Sequence, residues 1–148
     1  MTDATGRVRE TYSAALQHDL VDLDGDEHLL GVVRRPTGWF RGQIDENRPE
    51  LGPPEDLLDE VKDEQEALKL QGMCDEGAHN AAWENADFEA RYREYVDGSS
   101  DAQAALDSLA DRVRDGETIV LVCFEGDNKR CHRHALVETL RSRVDEEK

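Results

Sequence analysis

Residues 118–124 read Thr118-Ile119-Val120-Leu121-Val122-Cys123-Phe124, a run without charge, rich in β-branched side chains and apolar on both faces. A strand of this kind cannot lie on a surface. It needs neighbouring strands at its edges and helices over both faces, the place of a central strand in a parallel sheet. The rest of the chain must therefore supply that cover. Leu29-Leu30-Gly31-Val32-Val33, after a turn at Asp24-Gly25, reads as a second short buried strand. Residues 7–17, with Val8, Tyr12, Ala14, Ala15 and Leu16, fit either a strand or a short helix.

Helical cover comes from four stretches. Pro54 followed by Glu55 and Asp56 starts one, with Leu57, Leu58, Val61 and Leu68 as its apolar stripe. After an interruption from Gly72 to Gly77, residues 81–96 form a second, carrying Trp83, Phe88, Tyr92 and Tyr95. A capping box at Ser100 and Gln103 opens a third, with Ala102, Ala105, Leu106, Leu109 and Val113 inward and Gly116 as its stop. The last carries Leu136, Val137, Leu140 and Val144 on one face. Residues 36–54, punctuated by Pro36, Gly38, Gly42, Pro49, Gly52, Pro53 and Pro54, read as one long loop, which in a small domain is more often functional than idle. The order of elements predicts a single α/β domain over residues 1–148, with helices on a short, mainly parallel sheet in a Rossmann-like three-layer arrangement. Residues 1–6 and 146–148 are expected to fray.

Against 18 Lys and Arg stand 35 Asp and Glu, a net charge of −17, and acids occur along nearly the whole length. Lysine occurs only at Lys62, Lys69, Lys129 and Lys148. That is the texture of a halophilic surface, on which charge maintains solubility in concentrated salt. No apolar run reaches membrane-spanning length, and the first residues lack the basic and apolar parts of a signal peptide, so a cytoplasmic protein without membrane contact is expected. Against the acidic background two basic clusters stand out. One holds Arg34, Arg35, Arg41 and Arg48; the other holds Lys129, Arg130, Arg133, Arg141 and Arg143, interleaved with His132 and His134.

The second cluster follows the central strand: Cys123-Phe124-Glu125-Gly126-Asp127-Asn128-Lys129-Arg130-Cys131-His132-Arg133-His134. In open α/β sheets ligands bind in the crevice beyond the carboxyl ends of the strands. Free N–H groups at a helix start favour an anion, and Lys129, Arg130 and Arg133 add charge to it, with Arg34 and Arg35 at the other strand end. Cys131 in such a field is a candidate thiolate, and Glu125 and His132 are candidate proton carriers. Cys123 suits either a nucleophile or a small core residue. Each residue also has a plainer reading: Glu125 pairs with Arg133, Cys131 and His132 pack, and His134 lies exposed. A phosphatase-type loop fits poorly, because six residues separate Cys123 from Arg130, one more than that loop has. Cys74, His79, Cys123, Cys131 and His132 offer donors for zinc, but at spacings of no common zinc module. A Cys123–Cys131 disulfide does not suit a cytosolic chain.

These residues resemble the family catalogued as domain of unknown function 488. The likeness rests on Leu121-Val122-Cys123-Phe124-Glu125 followed by Cys131-His132-Arg133, a strand ending in Cys-x-Glu and then Cys-His-Arg. Upstream, Phe88, Tyr92 and Tyr95 resemble the family's Phe…Tyr…Tyr region. Val33-Arg34-Arg35-Pro36 resembles its strand-end motif, and Glu50-Leu51-Gly52 its Leu-Gly loop. Two features depart from the pattern: Val32 stands where the family has an acid, and the family's N-terminal strand with its Gly-His-Ser turn is not recognisable in residues 1–20. The resemblance implies a fold and a site location, under a name that assigns no reaction.

Gly77-Ala78-His79-Asn80-Ala81-Ala82-Trp83 places His79 and Asn80 at or just before a helix start. Asn80 there is a cap and Trp83 core, or His79 and Asn80 reach the crevice, with Trp39-Phe40 as a stacking surface for a base. The expected function is a small enzyme, without cofactor or bound metal, acting on an anionic, nucleotide- or nucleic-acid-like substrate. Glu125, Cys131, His132 and Cys123 are its catalytic candidates, Arg34, Arg35, Arg133, Lys129 and Arg130 hold the anion, and Trp39, His79 and Asn80 contact the substrate. The alternatives are a non-catalytic module binding nucleic acid or a partner, and a protein with a structural zinc site.

Overall fold

The computed structural model describes residues 7–18, 23, 25–123 and 132–146. Four strands among them form one sheet: β1 (Val8–Tyr12), β2 (His28–Gly31), β3 (Glu46–Asn47) and β4 (Ile119–Cys123). Their order is β1-β4-β2-β3 and every pairing is parallel. The apolar run thus lies between two neighbours, and all of β4 is buried. Burying an aliphatic side chain is worth about 1.5–3 kcal/mol, so Ile119, Val120, Leu121 and Val122 together contribute about as much as a small domain's whole net stability.

The helices are α1 (Ser13–Gln17), α2 (Gly38–Arg41), α3 (Glu55–Leu70), α4 (Asp75–Asn85), α5 (Phe88–Gly98), α6 (Ser100–Arg114) and α7 (Arg133–Glu146). They cover the sheet unequally. The larger core joins Ile119 and Leu121 to apolar residues of α3 through α7. The smaller one joins Val120 and Val122 to Phe40 of α2, with Leu16 of α1 against it. This is the expected α/β fold with helices on both faces. No helix among the described residues is long and apolar enough to cross a membrane.

Several local expectations hold. Pro54 caps α3, Gly116 follows α6 at φ +108°, and Leu136, Val137, Leu140 and Val144 of α7 are buried. Others shift. Residues 7–17 contain both a strand and a helix, and Tyr12 is at once the end of β1 and the N-cap of α1. An N-terminal strand is therefore present. Residues 36–54 hold α2, the two-residue β3 and a short 3-10 turn at Pro49–Leu51. Residues 81–96 are broken at Asp87, which sits at φ 54°, between α4 and α5. The cap of α6 is Ser99, whose hydroxyl accepts from Ala102 N (3.2 Å), while the Gln103 amide donates to Val96 O (2.7 Å) instead of closing a box.

Within the former loop, four consecutive carbonyls are each met by a side-chain donor. Tyr95 Oη donates to Glu50 O at 2.8 Å and Tyr92 Oη to Leu51 O at 2.5 Å. Arg34 Nη2 donates to Gly52 O at 3.1 Å and its Nε to Pro53 O at 3.0 Å. Gly52 permits this approach, because a Cβ there would fall 2.5 Å from Arg34 N. The segment is fixed by α5 and by the residues that follow β2. Tyr92→Phe removes the donor from a buried carbonyl and is expected to lower the unfolding free energy by about 1–3 kcal/mol. Urea titration reads that loss as a lower midpoint at unchanged slope.

Candidate functional site

Alternate residues of a strand share a face, and parallel pairing aligns Glu10 with Leu121 and Tyr12 with Cys123. Glu10, Tyr12 and Cys123 thus meet α7 together at the carboxyl end of the sheet. The first helical residue, Arg133, is 1% exposed. A buried guanidinium costs several kcal/mol unless its donors find acceptors. Arg133 Nε donates to Glu10 Oε1 at 3.1 Å, and its Nη1 donates to Cys123 Sγ at 2.8 Å. Its Cζ lies 5.4 Å from the Tyr12 ring centroid, a cation–π distance. The same Glu10 oxygen takes His134 Nδ1 at 2.6 Å, although His134 is half exposed.

His132, one residue earlier, is buried, and its Nε2 lies 2.6 Å from Val32 O. A carbonyl only accepts, so Nε2 carries the hydrogen. Burial holds the imidazole at a pKa of about 4, well below its usual 6.5, against the opposing effect of the Val32 hydrogen bond. It is therefore neutral near pH 7. The ring stands edge-on to Tyr92, with centroids 5.2 Å apart.

Beside Cys123 and His132 opens a cavity of about 220 Å³, walled by Leu58 and Val61 of α3, Trp83 of α4 and Phe88 of α5, with His79 and Val33 also facing it. Arg34 and Arg35 line it as well. Arg34 turns its Nε to Pro53 O and its Nη2 to Gly52 O and Tyr95 Oη (2.7 Å). Arg35 is half exposed and paired with Glu55 (3.0 Å) and Asp59 (3.2 Å), hydrogen bonds that raise its pKa, Glu55 foremost.

The structure thus gathers Cys123, His132, His79, Arg34 and Arg35 around one cavity and sets Arg133 on Cys123. It does not bring in Trp39, which is 57% exposed, and Phe40 is wholly buried in the smaller core. His79 and Asn80 lie within α4, because the helix begins at Asp75 with Cys74 Sγ accepting from Gly77 N. Asn80 does not line the cavity. Glu125, Lys129, Arg130 and Cys131 lie outside the described residues. Glu10 and Tyr12 enter the site unannounced; their one sequence signal is the alternation Val8-Glu10-Tyr12 with a carboxylate on the apolar side. Among the described residues no group of three or more His, Cys, Asp or Glu is gathered as a metal ion requires. A thiol held against a guanidinium, at a strand end and beside a cavity, is equipped for nucleophilic chemistry.

Comparison with known proteins yields a family-model match, DUF488-N3a, described as the active DUF488-N3 subclade, over residues 14–144. No curated protein and no solved structure matches the chain.

The buried His132 sets a pH dependence. The unfolded chain protonates this imidazole below about 6.5, while the folded one resists down to about 4. The unfolded state therefore binds more protons in that window, and stability falls as pH drops through it. Relative to His132→Gln, the native chain should lose on the order of 3 kcal/mol more between those limits. Parallel pH series of urea unfolding measure the difference; superimposable pH profiles would contradict the burial of a neutral imidazole.

Proposed function

We propose that this chain, which belongs to the DUF488-N3a family, is a thiol-dependent enzyme in which Cys123 attacks a small anionic substrate. One observation carries the reading: Arg133 Nη1 lies 2.8 Å from Cys123 Sγ, away from water and at the carboxyl end of the central strand. The thiolate is the reactive form of cysteine, and a neighbouring guanidinium favours it. A hydrophobic side chain at position 133 would cover Tyr12 and Cys123 without the desolvation cost of a cation, so packing alone is a weak reason for an arginine there. The family's description as an active subclade supports a site that does chemistry.

In this reading the Cys123 sulfur forms a bond to the substrate's electrophilic atom. The bond to the leaving group breaks, and that group departs with the electron pair and a proton from Glu125. Water, giving one proton to the Glu125 carboxylate, then adds its OH to the electrophilic atom; the S–substrate bond breaks, and the thiolate and protonated Glu125 are restored. Glu125 holds its role by its place two residues beyond Cys123, and Cys131 is a second thiol by its place beside His132. Lys129, Arg130 and the half-exposed Arg35 provide charge for the anion. Arg133 positions and activates the sulfur and does not meet the substrate.

A module that binds nucleic acid through its arginines accounts for less. Arg34 and Arg133 direct donors at partners inside the protein, which leaves fewer arginines facing outward for a nucleic-acid backbone.

Alkylation by iodoacetamide, followed peptide by peptide, tests the assignment, with the urea-unfolded chain as reference. Cys123 is expected to react with a pH midpoint below the roughly 8.5 of an ordinary thiol, and Arg133→Gln to slow it by about tenfold near neutral pH. If Cys123 reacts with the same pH midpoint as in the unfolded chain, or is indifferent to Arg133, the nucleophile is elsewhere.

A further inference from the structure

The cavity beside Cys123 is unlike the site an anion alone would need. Its walls are Val33, Pro53, Leu58, Val61, Trp83 and Phe88. A phosphate or carboxylate entering so apolar a space would lose its hydration without recovering it in hydrogen bonds. Size narrows the occupant further. An apolar cavity of about 150 Å³ takes one benzene, and sites for drug-sized ligands begin at about 300 Å³. A space of about 220 Å³ accordingly takes one ring or a fused pair, and excludes a whole nucleotide.

The walls also have a shape. Trp83 and Phe88 are stacked with ring centroids 3.6 Å apart at 21°, and the His79 ring tilts against Trp83 at 6.1 Å. Aromatic faces and edges of this kind reward another ring, in offset or edge-on contact, by about 0.5–1.5 kcal/mol beyond its burial. Cys123 and His132 line the same cavity, and Arg35, half exposed, also lines it.

We infer that the cavity seats a planar aromatic ring of the substrate, against Trp83 and Phe88, with the reacting atom next to Cys123 and the anionic group left outside, towards Arg35. This rests on the reading of Cys123 as the nucleophile for the orientation of the substrate; the ring site itself rests on the walls. It makes the aromatic ring, and not the anion, the part of the substrate that the described residues select. Trp39, which stands clear of the cavity, has no part in the stacking.

The test uses the whole chain carrying Trp39→Phe, which leaves Trp83 as the only tryptophan. Benzoate and adenine are the aromatic probes. Cyclohexanecarboxylate, equal to benzoate in charge and similar in size but not planar, is the control. Two readouts are taken: quenching of Trp83 fluorescence, and protection of Cys123 from iodoacetamide. The aromatic probes should quench saturably and protect, with cyclohexanecarboxylate weaker by roughly tenfold. Val61→Phe, which fills the cavity, should abolish both effects, and Val61→Met serves if the phenylalanine variant does not fold. Equal binding of cyclohexanecarboxylate, or no saturable quenching by either aromatic probe, overturns the inference. The two readings fail separately. A fast-reacting Cys123 that no aromatic probe protects removes the ring site and leaves the nucleophile; saturable quenching beside an ordinary Cys123 does the reverse.

Discussion

A guanidinium shut away from water must find acceptors, and Arg133 finds them on two adjacent strands. Its Nε meets Glu10 of β1 and its Nη1 meets Cys123 of β4. The residue before it, His132, gives its ring hydrogen to Val32 just beyond β2. His132 and Arg133, at the entry to α7, are thus bonded to β1, to β4 and to the residue just beyond β2. Removing one partner of a buried charge typically costs about 3–5 kcal/mol, because the other is left uncompensated. The helix, the sheet order and the environment of the Cys123 sulfur therefore depend on one another through this contact.

The charge balance of −17 takes on a different meaning beside these contacts. In the sequence the arginines stand out as rare cations available to an anionic ligand. In the fold most of them already have partners. Arg91 meets Glu60, Arg93 meets Glu89 and Glu138, and Arg143 meets Asp107. Arg141 donates to Val8 O, and Arg114 to the carbonyls of Arg143 and Val144. The exposed pairs are weak and screened by salt, while the Arg133 contacts are buried and screened little. An abundance of acid around an arginine is thus a poor guide to its ligand; burial and the nature of its acceptors are better ones.

What was legible in the sequence follows from the range over which each signal acts. The uncharged run of β4 and the apolar stripe of α7 are local patterns with one physical solution, and both elements form where expected. β3 is two polar residues, Glu46 and Asn47, and is held by backbone pairing with β2. No hydrophobic pattern announces it. The break at Asp87 depends on a left-handed residue that is not glycine, which neither periodicity nor punctuation marks. Val33-Arg34, Glu50-Leu51-Gly52 and Tyr92…Tyr95 read as separate short motifs, yet they form one network in which four carbonyls meet two tyrosines and an arginine. The site shows the same division. Cys123 and Arg133 are conspicuous through their neighbours in sequence, whereas Glu10 belongs to the site only because β1 lies beside β4 in register. The cavity walls come from three helices whose aromatic and aliphatic residues look in sequence like ordinary core.

The central claim is that Arg133 holds Cys123 as a thiolate. The most direct measurement is the ultraviolet absorbance of the thiolate across a pH titration, in a chain with Cys74 and Cys131 replaced by serine so that Cys123 is the only sulfhydryl. The account predicts a single transition below the roughly 8.5 of a free cysteine, moving upward in Arg133→Gln. A transition at or above that value, unmoved by the loss of the guanidinium, would contradict it.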